Sequence, residues 1–203
     1  MRRRAFFVLR RDIRGSEAGS GGALESAPDD LQGAAWTSKR IILGVQGTEF
    51  DETEFFRRIG ESGARALLIG RRALVALGLP VLTADYDFWV HPEDVALFNA
   101  AASPFGLVPS HTPDEARGRG RYVLENDEHV DIIVARFVTT VEGQKVLLED
   151  LWARRVAVPL APDSSIVIPC LDDLVTTKRF AARAKDLEDL RLLLALREGG
   201  GGT

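Results

Sequence analysis

The sequence predicts an α/β fold: a mixed, twisted sheet with helices packed against it and a pair of helices closing the chain. Three observations predict it. Short apolar runs of strand length alternate with runs compatible with helices. The run Ala66-Leu67-Leu68-Ile69 passes through Gly70 directly into a helical pattern over Arg71–Leu77, stopped by Gly78 and Pro80. From Pro169 onward the apolar spacing becomes helical and stays so.

Each element can be justified in order. Residues 1–40 read as a disordered tail: six arginines crowd residues 2–14, and Gly, Ser, Ala and Asp dominate Gly15–Ala35. Residues 41–168 form the α/β core, opening with the apolar run Ile41-Ile42-Leu43-Gly44. Asp51 is an N-cap, with Glu54 three residues on, for a helix reaching Glu61 whose stripe is Phe55, Phe56 and Ile59. Pro92 opens a helix to Ala102, and Gly106-Leu107-Val108 is a short strand. His111–Arg121 (H-T-P-D-E-A-R-G-R-G-R) reads as a mobile basic loop, either a solvated connection or a lid over phosphates or RNA. Tyr122–Leu124 and His129–Phe137 are strands, and Val138–Leu147 is a hairpin around Glu142-Gly143. Leu148–Arg154 is a short helix or turn, and Val156–Leu160 and Ile166–Ile168 are strands bounded by prolines. Residues 169–198 form two helices packed on the core. Asp172 and Asp173 suit the first N-terminus, and Leu187, Leu190 and Leu194 are the second helix's core stripe.

Composition narrows the function classes. With 203 residues the chain fits one domain, or a domain with a helical appendage. A formal charge of −4 argues against non-specific coating of nucleic acid, while leaving a local basic groove open. The single cysteine, Cys170, excludes an internal disulfide and a cysteine zinc cluster, and suits a reducing cytoplasm. Three histidines lie well apart and show no metal-ligand spacing. No apolar run approaches the ~18–20 residues of a membrane span, so no membrane partner is expected.

Two aspartates, Asp85 and Asp87, interrupt the apolar stretch T-A-D-Y-D-F-W-V. On a strand, residues two apart share a face. Asp85 and Asp87 then point together, while Tyr86, Phe88 and Val90 point the other way. Two carboxylates aimed at one spot repel unless a cation or a proton joins them, and strand interiors disfavour Asp. A turn is the plain alternative, each carboxylate solvated or capping a backbone N–H. Aromatic and β-branched residues directly after the pair favour the strand.

Gly70, Ala73, Gly78, Thr83, Asp85 and Asp87 make the pattern G-x-x-A-x-x-x-x-G, a short gap, then T-x-D-x-D. It resembles the DNA polymerase β-type nucleotidyltransferase superfamily, and within it small stand-alone bacterial members, including the toxins of abortive-infection systems. Lys185-Asp186-x-x-Asp189-Leu190 is similar to a K-D-x-x-D motif of those members. The resemblance runs from about Phe55 to Leu196. It implies a polymerase β-like fold and a transferase that moves a nucleoside monophosphate from a nucleoside triphosphate, such as ATP, to an acceptor. It implies Mg²⁺ (or Mn²⁺), and it leaves the acceptor open among RNA, protein and small molecules, with an antitoxin as a further partner.

The implied site residues come from the motif. Asp85 and Asp87 hold metal and phosphates, and Asp131, in the apolar run H-V-D-I-I-V, completes the metal site and helps to activate the acceptor hydroxyl. Gly70 and Arg71 approach the phosphates, Thr83 belongs to the nucleotide site, and Lys185 supports the nucleotide, with Lys178 a weaker candidate of the same kind. The sequence departs from the family pattern twice: Arg71 stands where relatives carry Gly or Ser, and Val81 where many carry Arg. Two rival readings remain. One is a catalytically degenerate binding module or toxin–antitoxin component. The other is a D-x-D glycosyltransferase, which needs a larger domain ahead of the motif than this chain has.

Overall fold

The structure, a computed structural model, describes residues 50–181 and 183–199. The tail expected over residues 1–40 and the run Ile41–Gly44 lie outside them. Helix α1 (Glu52–Glu61) starts as its sequence dictates: the Asp51 side chain accepts the backbone N–H of Glu54 at 3.0 Å, satisfying a donor that the first turn leaves orphaned. Its stripe of Phe55, Phe56 and Ile59 is buried, each side chain contributing about 1.5–3 kcal/mol through burial.

The chain continues as β1 (Ala66–Ile69), α2 (Gly70–Ala76), β2 (Tyr86–Val90), a 3₁₀ turn at Pro92–Asp94 and α3 (Val95–Ala102). Then come β3 (Val108–Pro109), α4 (Pro113–Arg119), β4 (Arg121–Glu125) and β5 (His129–Val134). A hairpin of β6 (Phe137–Thr139) and β7 (Lys145–Leu147) leads into α5 (Leu148–Ala153). A second hairpin, β8 (Val156–Ala161) and β9 (Ser164–Ile168), precedes α6 (Leu171–Thr177) and α7 (Ala184–Gly199).

The main sheet has the order β1-β2-β5-β4-β3. β2 and β5 are parallel and the other neighbours antiparallel, so the sheet is mixed, as expected. Period-2 alternation splits its side chains between two faces. Ala66, Leu68, Tyr86, Phe88, Val90, Val130, Ile132 and Val134 share the larger core with α1, α3, α4, Leu174 and Leu193. Leu67, Ile69 and Trp89 share a smaller core with Val146, Leu148 and Leu151. Trp89 is fully buried, and its indole Nε1 donates to the Ala135 carbonyl at 2.8 Å. Among the described residues no helix is long and apolar enough to cross a membrane.

Three local expectations need correction. His111–Arg121 is not a mobile loop, because α4 occupies most of it. Thr112 and Glu115 form a reciprocal capping box, Pro113 supplies the first turn, and Gly120 ends the helix in left-handed conformation at φ 75°. The strand expected at Gly106–Val108 lies slightly later, at Val108–Pro109, since Gly106 takes φ 71° and caps a 3₁₀ turn. Leu187 is 57% exposed rather than core; α7 instead buries Asp186, Asp189 and Leu193.

Candidate active site

The parallel pairing of β2 and β5 sets Asp87 directly beside Asp131, and the antiparallel pairing of β1 sets Ile69 on the other side of Asp87. The end of β1, the start of α2 and two carboxylates therefore meet in one row across the sheet. Gly70 turns the chain there at φ 68°, a conformation that L side chains resist. It also leaves room for its neighbour: a Cβ at Gly70 would lie 2.9 Å from Cβ and 2.7 Å from Cγ of Asp87, and closer still to Oδ2. The Asp87 carboxylate thus rests against the bare Cα of Gly70.

Among the described residues Asp87 has no hydrogen-bond or ion-pair partner. Burial pushes its carboxyl pKa up, and the charge of Asp131 adds to this; Lys178, Lys185 and Arg183 pull it partly back. Asp131 is less enclosed. Its Oδ1 lies 3.6 Å from Nη2 of Arg121, and its Oδ2 lies 3.4 Å from Nε2 of His129. A cleft of about 370 Å³ opens over the pair. Ile69, Ile133, Val138 and Phe180 give it apolar walls, while Asp87, Asp131, Arg121, Lys178, Arg183 and Asp186 bring charge to it.

The basic wall comes from the C-terminal helices. Lys178, 5% exposed, comes directly after α6 and gives a 2.8 Å ion pair to Asp189 of α7. Arg71 of α2 donates to the same carboxylate at 3.1 Å and reaches Glu188 at 3.3 Å. Asp189 is fully buried. Burial acts to raise its pKa, but the hydrogen bonds from Lys178 and Arg71 prevail and hold it below the usual range. Asp186 accepts the backbone N–H of Arg183 at 2.8 Å and its guanidinium at 3.1 Å, fixing the start of α7. One ammonium carries three donors, so Lys178 can serve Asp189 and still present N–H groups to the cleft.

The structure gathers Gly70, Asp87, Asp131 and Lys178 around the cleft, whereas Asp85, Thr83, Arg71 and Lys185 do not line it. Asp85 precedes β2 by one residue and is exposed, its backbone N–H donating to the Thr83 hydroxyl at 3.3 Å. Neither Asp85 nor Thr83 lines the cleft. Arg71 is turned to α7, and Lys185 is exposed on that helix, outside the cleft lining. The larger role of Lys178 and the presence of Arg183 were not singled out by the sequence pattern, whereas Arg121 belongs to the basic segment that reads either as a solvated connection or as a lid over phosphates. A basic residue one position past a short helix carries no mark of which way it points.

The donor set suits a hard divalent cation in one respect. Two adjacent carboxylates, one of them without a protein partner, match the one or two that Mg²⁺ takes beside phosphate oxygens and water. Among the described residues no group of three His, Cys, Asp or Glu side chains forms a ready-made cage. The two aspartates therefore fit an ion that arrives with its phosphates.

No protein family profile and no curated protein sequence matches this chain. Solved structures do. The antibiotic-resistance factor ANT(2'')-Ia superimposes with a TM-score of 0.50 over 70% of this chain and 80% of that one, at 14% identity. The likeness is one of fold. TM1012 of Thermotoga maritima, provisionally assigned as a nucleotidyltransferase, overlaps 70% of this chain and 88% of its own at 18% identity, with a TM-score of 0.47. The row of Asp87 and Asp131 stands on the sheet of the fold this chain shares with ANT(2'')-Ia.

Proposed function

We propose that this chain is an Mg²⁺-dependent nucleotidyltransferase. The observation that carries the reading is the side-by-side placement of Asp87 and Asp131 in a cleft whose other wall brings Lys178 and Arg183. Asp87 and Asp131 would hold the ion, which when bound supplies positive charge to the phosphates at the reacting centre. Lys178 and Arg183 face the same space and match the charge of a departing pyrophosphate. Asp131, the more open carboxylate, is placed to take the proton of an acceptor hydroxyl as its oxygen bonds to the α-phosphorus and the bond to pyrophosphate breaks. Mn²⁺ fits the same oxygen donors. The acceptor classes in keeping with an open cleft are an RNA end, a protein hydroxyl or a small alcohol.

The test is label transfer. Purified full-length protein is incubated with each α-labelled nucleoside triphosphate in Mg²⁺, with total RNA, with protein extract or with hydroxyl-bearing small molecules. Transfer that requires Mg²⁺ and disappears in Asp87→Asn and Asp131→Asn is expected. A protein that neither binds a nucleoside triphosphate nor transfers label would refute the reading.

A second reading draws on Arg71 and Asp85. Arg71 replaces the small residue of the family pattern, and Asp85 stands outside the cleft. A domain that binds nucleotide without transferring it, as part of a toxin–antitoxin pair, accommodates both facts. Nucleotide binding with no transfer to any acceptor class would favour it.

A further inference from the structure

The two oxygens of Asp131 are held unequally. Oδ2 faces His129, an imidazole fixed at both ends: its Nε2 lies 3.4 Å from Asp131, and its Nδ1 lies 3.0 Å from Oε1 of Glu125 across the β4–β5 pair. Oδ1 faces only Arg121, at 3.6 Å, too long for a hydrogen bond but within ion-pair range. The Arg121 side chain is 76% exposed. It begins β4 immediately after Gly120, the left-handed end of α4. Arg121 is therefore a loosely held cation on a free stem, at the wall of the cleft, resting on one oxygen of a carboxylate that the proposed reaction needs.

We propose that Arg121 is a movable counter-ion, which neutralises Asp131 in the nucleotide-free protein and passes to the phosphates of the nucleotide when Asp131 turns to the divalent cation. The inference rests on the nucleotidyltransferase reading above. Two facts give it direction. Asp87 and Asp131 are paired side by side across β2 and β5, so their like charges repel and an empty site gains from a cation beside Asp131. A divalent cation held by Asp131 would take over that duty and repel the guanidinium, while a triphosphate bound beside it would offer oxygens that the planar Arg121 fork binds well. The loose, exposed contact to Asp131 is one that can be given up at little cost. His129, pinned by Glu125, stays and keeps the carboxylate oriented.

The device has a signature of opposite signs. In Arg121→Ala, Mn²⁺ alone binds more tightly than to wild type, by about threefold or more, because a positive charge has left the neighbourhood of its ligand. The same variant binds nucleoside triphosphate in Mg²⁺ about tenfold or more weakly, having lost a charge-assisted contact. Arg121→Lys retains the charge and falls between. The experiment titrates full-length wild type, Arg121→Ala and Arg121→Lys with Mn²⁺ alone, followed by spin resonance, and with ATP, GTP, CTP and UTP in Mg²⁺, followed by calorimetry. Circular dichroism checks that the variants fold. Opposite shifts in Arg121→Ala, with Arg121→Lys between them, support the proposal. Equal weakening of both ligands, no change in either, or a change in one alone overturns it while leaving the nucleotidyltransferase reading in place. Wild type that binds neither Mn²⁺ nor any triphosphate overturns both.

Discussion

The Cα of Gly70 and the carboxylate of Asp87 occupy adjoining space so closely that a methyl group on Gly70 would fall on the acid. Gly70→Ala carries two penalties, a left-handed φ of 68° and a collision with Asp87. The backbone part costs about 1–2 kcal/mol, and the collision adds to it. Urea unfolding of Gly70→Ala, Asp87→Gly and the double variant checks this. The double variant should recover the collision part and keep the backbone part. Strict additivity of the two changes would mean that they do not touch.

Asp189 is the keystone of a buried ion group. Asp189→Ala removes the ion-pair partner of the buried Lys178 and leaves Arg71 with only the exposed Glu188, and should lower stability by about 3–5 kcal/mol. The paired change Asp189→Leu with Lys178→Met removes both buried charges and should cost far less. Chemical denaturation of the three variants decides the matter; a double variant as unstable as Asp189→Ala would show that Arg71, not Lys178, is the partner that matters.

The pH dependence of stability carries the mark of Asp87. Its pKa is raised in the fold by burial and by Asp131, so the folded chain holds the proton more tightly than the unfolded chain. At pH values below the ordinary carboxylate range, about 4, both states are protonated and the group costs nothing. As pH rises from there through the raised value, the unfolded state loses its proton first and stability falls. Asp87→Asn should therefore match wild type in acid and exceed it at neutral pH, in chelator. Melting curves across that range test the sign. A variant less stable than wild type at neutral pH would mean that the ionised carboxylate has a partner that stabilises it.

Much of the site was legible because aspartate is out of place in an apolar strand. Asp87 and Asp131 announce themselves by being polar at positions where Phe88, Trp89, Ile132 and Ile133 set the pattern. The same argument does not reach Asp85, which falls one residue before the strand, where an acid needs no explanation. Helix α4 was missed although its T-P-D-E start is a strong signal; two glycines and alternating arginines outweighed a capping box on a helix of only seven residues. The buried acids of α7 were hidden for another reason. Their leucine neighbours suggested the core face, and Asp189 is compensated by Arg71 from 118 positions away. Pairings of that span leave no trace in local spacing.

The cleft draws its parts from widely separated stretches of the described chain. The carboxylates come from β2 and β5, but the facing cations Lys178 and Arg183 lie beyond α6, in the stretch that joins it to α7. On the ribosome the sheet emerges first, bearing two repelling acids and Arg121 but not the cations of the facing wall. On the proposed reading, a nascent chain halted after Ile168 has its acids but lacks Lys178 and Arg183 and should bind a triphosphate more weakly than the full chain; a halted chain that binds nucleotide as the full chain does would contradict this. Any activity is thereby deferred until the residues beyond α6 have been made. On the proposed reading, a frameshift or premature stop between Ile168 and Lys178 would release a protein that carries the sheet without the facing cations.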